Sequence, residues 1–362
     1  MTLLDRHIAW TFVKVFLGAL VICTVAVGAL DFVGRVGYFL KEDSVAGTHA
    51  EGWSRFKIVA MFYAAYLPLV IKEVFPFVSV AAALLTVSAM LRRNEVFPVV
   101  AAGVSMRRLF LPVFAGAALV SIGHLAFQEY VVPMLGREQI ALKRFFQGDR
   151  TKGLENIVHL RDAGGSVTRA GAYSFADGSL SRVIVQKPWT EAGFERWRAP
   201  RLVPDGAGWV APDGVTVEPA GVETVAVKRP PGTRVDLGIS PADVEALTSK
   251  EGTGELSFGQ LQALANRFPN RRHLRIELHK QIARPLSSFA LVLCGVPVLL
   301  AAGRSVFWGG AIGFALSALY YFMDIFFTSS GARGDIPVVF AAYFPIAFLV
   351  SFGLARLITL RT

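Results

Sequence analysis

The chain has 362 residues, of which 53% are hydrophobic and 18% are charged, and its mean hydropathy is +0.49. This composition excludes an ordinary soluble protein and indicates an integral membrane protein. The net charge of +10 does not indicate nucleic-acid binding, because much of it lies beside apolar runs, where the positive-inside rule accounts for it. The two cysteines, Cys23 and Cys294, also lie in apolar runs, which excludes a disulfide scaffold.

The N-terminal part, residues 1–135, carries three predicted membrane spans. We expect the first to be retained, because no small-residue cleavage site is evident. Residues 58–91 form two apolar pieces that are separated by Lys72 and Glu73, with Pro68 and Pro76 on either side. The first piece is too short to cross the bilayer, so we predict that residues 58–73 lie at the outer interface. The predicted spans are residues 15–33, 75–91 and 109–127.

A short basic and partly apolar segment, residues 91–105 (LRRNEVFPVVAAGVS), connects the second and third spans. We interpret this coupling segment as the place where a cytoplasmic partner docks. From composition alone, the alternative is a simple loop whose arginines follow the positive-inside rule.

Residues 136–253 differ in character, because strand-like pieces alternate with three Asp-Gly turn signals. This pattern predicts an inserted all-β, jellyroll-like domain. Residues 257–268 follow as an amphipathic helix, which Ser257 and Gln260 open as a capping box. The predicted strands are residues 157–160, 167–175, 182–187, 208–210, 215–218 and 222–228.

The C-terminal part, residues 254–362, adds three spans, so that six helices surround the insert in a 3+3 arrangement. With the N-terminus inside, nine basic residues lie on the inner side and five in the short outer loops. This bias predicts that both termini are cytoplasmic and that the β domain lies outside. The predicted spans are residues 285–303, 305–323 and 336–355.

Five sequence blocks resemble the LptF/LptG permeases of the lipopolysaccharide export transporter. They are LLDRHIAWTF, DFVGRVGYFL, FPFVSVAAALLTVSAMLRRNEVFPVVAAGVS, ELSFGQLQALANRF and IELHKQIARPLSSFALVLCGVP. Their order and spacing fit over essentially the whole chain. The opening Leu-Asp-Arg makes the resemblance slightly closer to LptG.

The resemblance implies a permease of an ABC exporter that extracts lipopolysaccharide, or a related glycolipid, from the bacterial inner membrane. It implies four partners: a dimeric LptB-like ATPase, a paralogous LptF/LptG-like permease, a single-span LptC-like subunit and an LptA-like periplasmic bridge. ATP and Mg²⁺ would be used by the ATPase. We expect no cofactor, metal site or catalytic residue in this chain, which has no GxxxxGK[ST] loop.

The resemblance also assigns the coupling segment to docking on the ATPase. Glu95 would pair with a basic groove, and three apolar side chains would pack into it. The residues expected to couple the chain to the ATPase are Arg92, Arg93, Glu95, Val96, Phe97 and Val99.

A lateral gate for the lipid is implied between the first and fifth spans. Cations at the outer end of the first span would hold lipid A phosphates, and aromatic side chains of the fifth would suit acyl chains. The alternatives are interfacial snorkelling and an aromatic belt. The gate residues expected are Asp31, Arg35, Lys41, Phe322, Asp324 and Phe326.

Two further polar sites are interpreted as structural. Lys72 and Glu73 are predicted to be a self-neutralising pair at the interface, and His124 a helix-packing residue. The alternative function is a membrane scaffold or mechanical transmitter whose outer domain binds proteins and moves no lipid. An intramembrane hydrolase is a third possibility, with only Ser121 and His124 to support it.

Overall fold

The computed structural model describes residues 3–40, 52–135, 154–161, 165–174, 177–187, 195–206, 208–219, 226–237, 239–240, 243–244, 254, 256–269, 271–302 and 306–359. The chain divides into two compact units. The membrane unit comprises Met1–Arg35, Tyr63–Leu135 and Arg275–Thr362. The β unit comprises Val36–Phe62 and Gly136–Leu274. It therefore begins where the predicted insert begins, continues beyond its C-terminal end, and includes a separate earlier segment.

Within the described residues, six helices are long and apolar enough to cross a membrane, which confirms the predicted number of spans. A short helix, α3, connects the second and third of them, and α4 continues through a π-helical turn, Phe127–Val131. The helices are α1 (Leu3–Leu40), α2 (Gly52–Arg92), α3 (Val96–Ala101), α4 (Met106–Ala126), α5 (Phe258–Arg267), α6 (Arg272–Ala302), α7 (Val306–Arg333) and α8 (Val338–Thr359).

The second span differs from its prediction, because α2 is one continuous helix with Pro68 and Pro76 inside it. The predicted break between residues 58–73 and the second span is therefore wrong. Proline is tolerated in membrane helices where neighbouring groups satisfy the freed backbone. Of the two charges that separated the predicted segment from the next span, Glu73 pairs with Arg284 of α6, and Lys72 pairs with Glu73.

Small residues allow close approach between the spanning helices, as is common in membrane bundles. A Cβ added at Gly353 in α8 would lie 2.8 Å from the carbonyl carbon and oxygen of Leu293 in α6. A Cβ at Gly309 in α7 would lie 2.6 Å from Oγ of Ser88 in α2. These glycines therefore set the spacing of the helices.

Gly353→Ala is expected to destabilise the membrane unit by about 1–3 kcal/mol, because the added methyl group meets backbone that has no room to move. The measurement is the thermal midpoint of the full chain in mild detergent. Gly123→Ala in α4 is the matched control, since no described atom lies within 4 Å of its added Cβ. Equal midpoints for the two variants would contradict the packing argument.

The described residues of the β unit contain eight antiparallel strands, which confirms an inserted all-β region. Strand β4 is shared: its first half lies between β3 and β6, and its end pairs with β5, which in turn pairs with β8. The strands are β1 (Leu154–Arg161), β2 (Val167–Tyr173), β3 (Leu180–Gln186), β4 (Glu195–Asp205), β5 (Gly208–Ala211), β6 (Val215–Pro219), β7 (Val227–Arg229) and β8 (Thr233–Val235).

The longest strand, β4, was not predicted. Pro200 and Pro204 interrupt its sequence, and proline is rare inside strands. Its side chains Trp197, Ala199 and Leu202 are nevertheless buried, so tertiary burial outweighs the local signal.

The local signals in the β unit are confirmed. Gly178, Gly206 and Gly214, each following an aspartate, have positive φ angles, as tight turns require. Ser257 and Gln260 form both hydrogen bonds of the capping box at the start of α5.

Candidate functional site

The coupling segment is a rigid turn built from local signals. Asn94 has φ of +54°, a left-handed conformation that asparagine tolerates well, and it ends α2. The backbone N–H of Glu95 donates to the carbonyl of Met90 at 3.1 Å. After α3, Gly103 turns the chain with φ of +86°, and the Ser105 side chain caps α4.

The two faces of α3 have different surroundings. Val96 is only 5% exposed and belongs to the core of the membrane unit, against which Val99 also packs. Val96 therefore faces its own chain rather than a partner, contrary to the expected role. Phe97 is 69% exposed. Glu95 forms an exposed ion pair with Arg93 at 3.7 Å.

The start of α4 is tied to two other helices. Arg108 donates two hydrogen bonds to the carboxylate of Asp5 in α1, each at 3.0 Å. Arg107 donates to the carbonyl of Ile358 near the end of α8 at 2.6 Å. Sequence reasoning missed the Asp5–Arg108 pair, because the partners are 103 residues apart.

A second polar group, here called the outer polar cluster, lies near the other end of α1. Asp31 accepts hydrogen bonds from Arg35 Nε at 2.9 Å, from the Tyr63 hydroxyl at 3.1 Å and from the Tyr66 hydroxyl at 3.3 Å. The guanidinium of Arg35 also lies over the ring of Tyr66. The cluster joins α1 to α2 and neutralises Arg35. The third expected cation, Lys41, lies outside the described residues.

The expected gate residues of α7 point in two directions. Phe322 and Phe326 are 70% and 53% exposed, as an acyl-chain surface needs. Asp324 is turned inward, where Lys280 of α6 donates to it at 2.7 Å. Asp324 is therefore not part of the exposed aromatic face.

Six charged residues on α2, α6 and α7, here called the ion network, form a chain of three ion pairs and one separate pair, Lys280–Asp324. Arg284 bridges Glu277 at 3.1 Å and Glu73 at 3.7 Å, and Lys72 lies 3.6 Å from Glu73. The pair that was predicted to neutralise itself is thus one part of a larger arrangement with three positive and three negative charges. The members are Lys72, Glu73, Glu277, Lys280, Arg284 and Asp324.

Sequence reasoning did not single out Glu277, Lys280 or Arg284, although charged residues at the start of an apolar run were a usable signal. The expected span began only at residue 285, whereas α6 begins at Arg272. His124 is fully buried and stacks on Phe75 with ring centroids 4.6 Å apart, in keeping with its predicted packing role.

Comparison of the sequence with known protein families identifies a family for this chain. The family model described as "Lipopolysaccharide export system permease LptF/LptG" matches residues 6–359, nearly the whole chain. No individual curated protein matches. The match does not separate LptF from LptG, so the closer likeness to LptG stays a prediction. The chain belongs to the lipopolysaccharide export permease family LptF/LptG.

Proposed function

We propose that the chain extracts lipopolysaccharide, or a related glycolipid, from the inner membrane and passes it to an LptA-like periplasmic bridge. A separate dimeric LptB-like ATPase drives the process from the coupling segment. A paralogous permease completes the cavity, and a single-span LptC-like subunit joins the assembly. Both termini are then cytoplasmic and the β unit periplasmic.

Uneven burial of the spanning helices is the observation that carries this proposal. In the most apolar stretches of α2 and α6, 67% and 72% of the residues are buried within the chain, against 17% in both α1 and α7. The helices α2 and α6 therefore form a fixed centre, and α1 and α7 present open apolar sides. Two peripheral helices of this kind suit a lateral gate that opens to lipid and closes against a second subunit.

The coupling segment supports ATPase docking in a similar way. Its inner face is fixed in the core through Val96, so α3 moves together with α2 and α4. Its outer face presents Phe97, an exposed aromatic side chain two residues after the charged Glu95. Aromatic side chains surrounded by a polar rim are typical anchors of protein interfaces.

Phe97→Asp and Glu95→Lys are each expected to reduce association with the ATPase by about 30-fold, the effect of losing an interface anchor worth roughly 2 kcal/mol. Both side chains are partly or largely exposed, so the variants should fold normally. The measurement is the amount of ATPase that co-purifies with the tagged chain from native membranes in mild detergent. Thr359→Lys, at the exposed end of α8, is the control.

Normal co-purification with both variants would exclude docking through this segment. If the unmodified chain co-purifies no ATPase and only partners of the β unit, the scaffold function replaces the transport function.

A further inference from the structure

The ion network contains one link that joins the fixed centre to a peripheral helix. Lys280 in α6 donates to Asp324 in α7 at 2.7 Å and to the hydroxyl of Thr328, one turn further along α7, at 3.3 Å. The side chains of Lys280 and Asp324 are only 7% and 15% exposed. Both charges are thus desolvated and depend on each other.

The remaining charges of the network are balanced without this link. Arg284 bridges Glu277 and Glu73, and Lys72 also lies beside Glu73. Lys280 and Asp324 therefore form a separable pair whose two charges cancel. The pair can be exchanged or removed together without leaving an unpaired charge in the network.

The pair matters for α7 because much of this helix faces away from the rest of the chain, although Phe327 packs on Phe344 of α8 and Tyr321 stacks on Phe77 of α2. Only 17% of its most apolar stretch is buried, and the exposed residues include Phe322 and Phe326. A second polar contact, from the Tyr321 hydroxyl to the Glu73 carbonyl at 3.3 Å, lies within one turn of Asp324. The polar contacts described between α7 and the fixed centre thus lie within about one helical turn of Asp324.

Asp324 and these contacts lie far from the first residue of α7. Asp324 is 18 residues beyond Val306, the first residue of α7, which corresponds to about 27 Å of helix. In the proposed orientation, it is near the outer edge of the roughly 30 Å hydrocarbon layer. A link there controls the part of α7 that faces lipid in the outer leaflet.

We propose that the Lys280–Asp324 pair holds α7 in its resting position against α6, and that Lys280 is a positioning residue for lipid uptake beside α7. The uptake role rests on the proposed function. The pair works as a latch, because separating two buried opposite charges costs free energy, whereas each charge is compensated as long as it keeps an opposite charge beside it.

The first test measures the distance between α6 and α7 in the full chain. Spin labels are placed at the exposed positions Arg275→Cys and Ser329→Cys, after Cys23 and Cys294 have been replaced, and the labelled chain is reconstituted with its co-purifying subunits in lipid nanodiscs. The neutral pair Lys280→Met with Asp324→Leu avoids an unpaired buried charge and should fold. We expect its distance distribution to broaden and shift by about 5 Å, one helical turn.

The exchanged pair, Lys280→Asp with Asp324→Lys, keeps both charges and serves as the matched control. It is expected to restore a narrow distribution centred near that of the unmodified chain. A neutral pair with an unchanged distribution would overturn the latch, as would an exchanged pair as broad as the neutral one. A purely structural role would not require opposite charges for rescue.

The second test measures ATPase activity with and without added lipopolysaccharide. The neutral pair is expected to lose the stimulation by lipid, and the exchanged pair to keep it. Full stimulation of the neutral pair would overturn the uptake role. If the unmodified complex shows no stimulation, the proposed function fails, while the distance measurement still decides whether the pair positions α7.

Discussion

Arg284→Leu is expected to destabilise the folded chain by about 3–5 kcal/mol, because it breaks a buried ion pair from one side. The guanidinium reaches Glu277 on its own helix and Glu73 on α2. Glu73 keeps Lys72 as a partner at 3.6 Å. Glu277, whose side chain is 8% exposed, loses the cation that compensates it. This cost approaches the whole stability of many proteins, so little folded material should be recovered.

The measurement is the yield of monodisperse full chain from membranes, together with its thermal midpoint. Adding Glu277→Gln to Arg284→Leu removes the uncompensated charge and should recover a large part of the yield. The yield of Arg284→Lys is expected to lie between those of Arg284→Leu and the unmodified chain, because a single ammonium group does not span two carboxylates as a guanidinium fork does. Arg333→Leu, at an exposed ion pair with Asp335, is the control and should change little. Normal yield of Arg284→Leu would show that the network is not needed for folding.

Asp5→Asn is expected to uncouple the two activities, so that lipid release falls while the ATPase still binds. The coupling segment leads directly into α4 through Ser105, and Arg108 lies one turn further on. Its two hydrogen bonds to Asp5 connect this turn to the start of α1, a helix of the proposed gate. The amide keeps the shape of the carboxylate but loses its charge, which weakens a charge-assisted contact by about 1.5–3 kcal/mol.

The result expected is a reduction of about tenfold or more in ATP-driven lipid release, the factor that corresponds to this energy. Release of lipopolysaccharide from proteoliposomes is measured in parallel with ATPase binding, which should be unchanged because α3 is not altered. Arg6→Gln, at an exposed position next to Asp5, changes the local charge without touching the pair. Unimpaired release in Asp5→Asn would show that force does not pass from α4 to α1 by this route.

Each peripheral helix of the membrane unit is thus connected to a better-buried helix by specific polar contacts. The outer polar cluster joins α1 to α2 through Tyr63 and Tyr66, and the Lys280–Asp324 pair joins α7 to α6. Polar contacts of this kind can separate and re-form as units, whereas a packed apolar interface resists gradual displacement. This arrangement suits helices that must move in a defined way.

The sequence by itself determined the features that depend on short segments. Six apolar runs predicted the six spans, and Asp-Gly pairs predicted three turns with positive φ. The pattern of Ser257 and Gln260 predicted the start of α5. The Asp31–Arg35 ion pair, four residues apart on one helix, was also within reach. All of these depend on hydropathy, turn preference or helical spacing over a few residues.

Only the tertiary structure decided which helix each charge faces. Asp324 was expected beside exposed aromatic side chains, but its partner Lys280 is 44 residues away in the chain. Lys72 and Glu73 were expected to neutralise each other at the interface, but Arg284 draws Glu73 into a network across α2 and α6. Val96 faces the core and Phe97 does not. The physical reason is that desolvated charges must be compensated wherever packing brings them together, and no local pattern in the sequence specifies that partner.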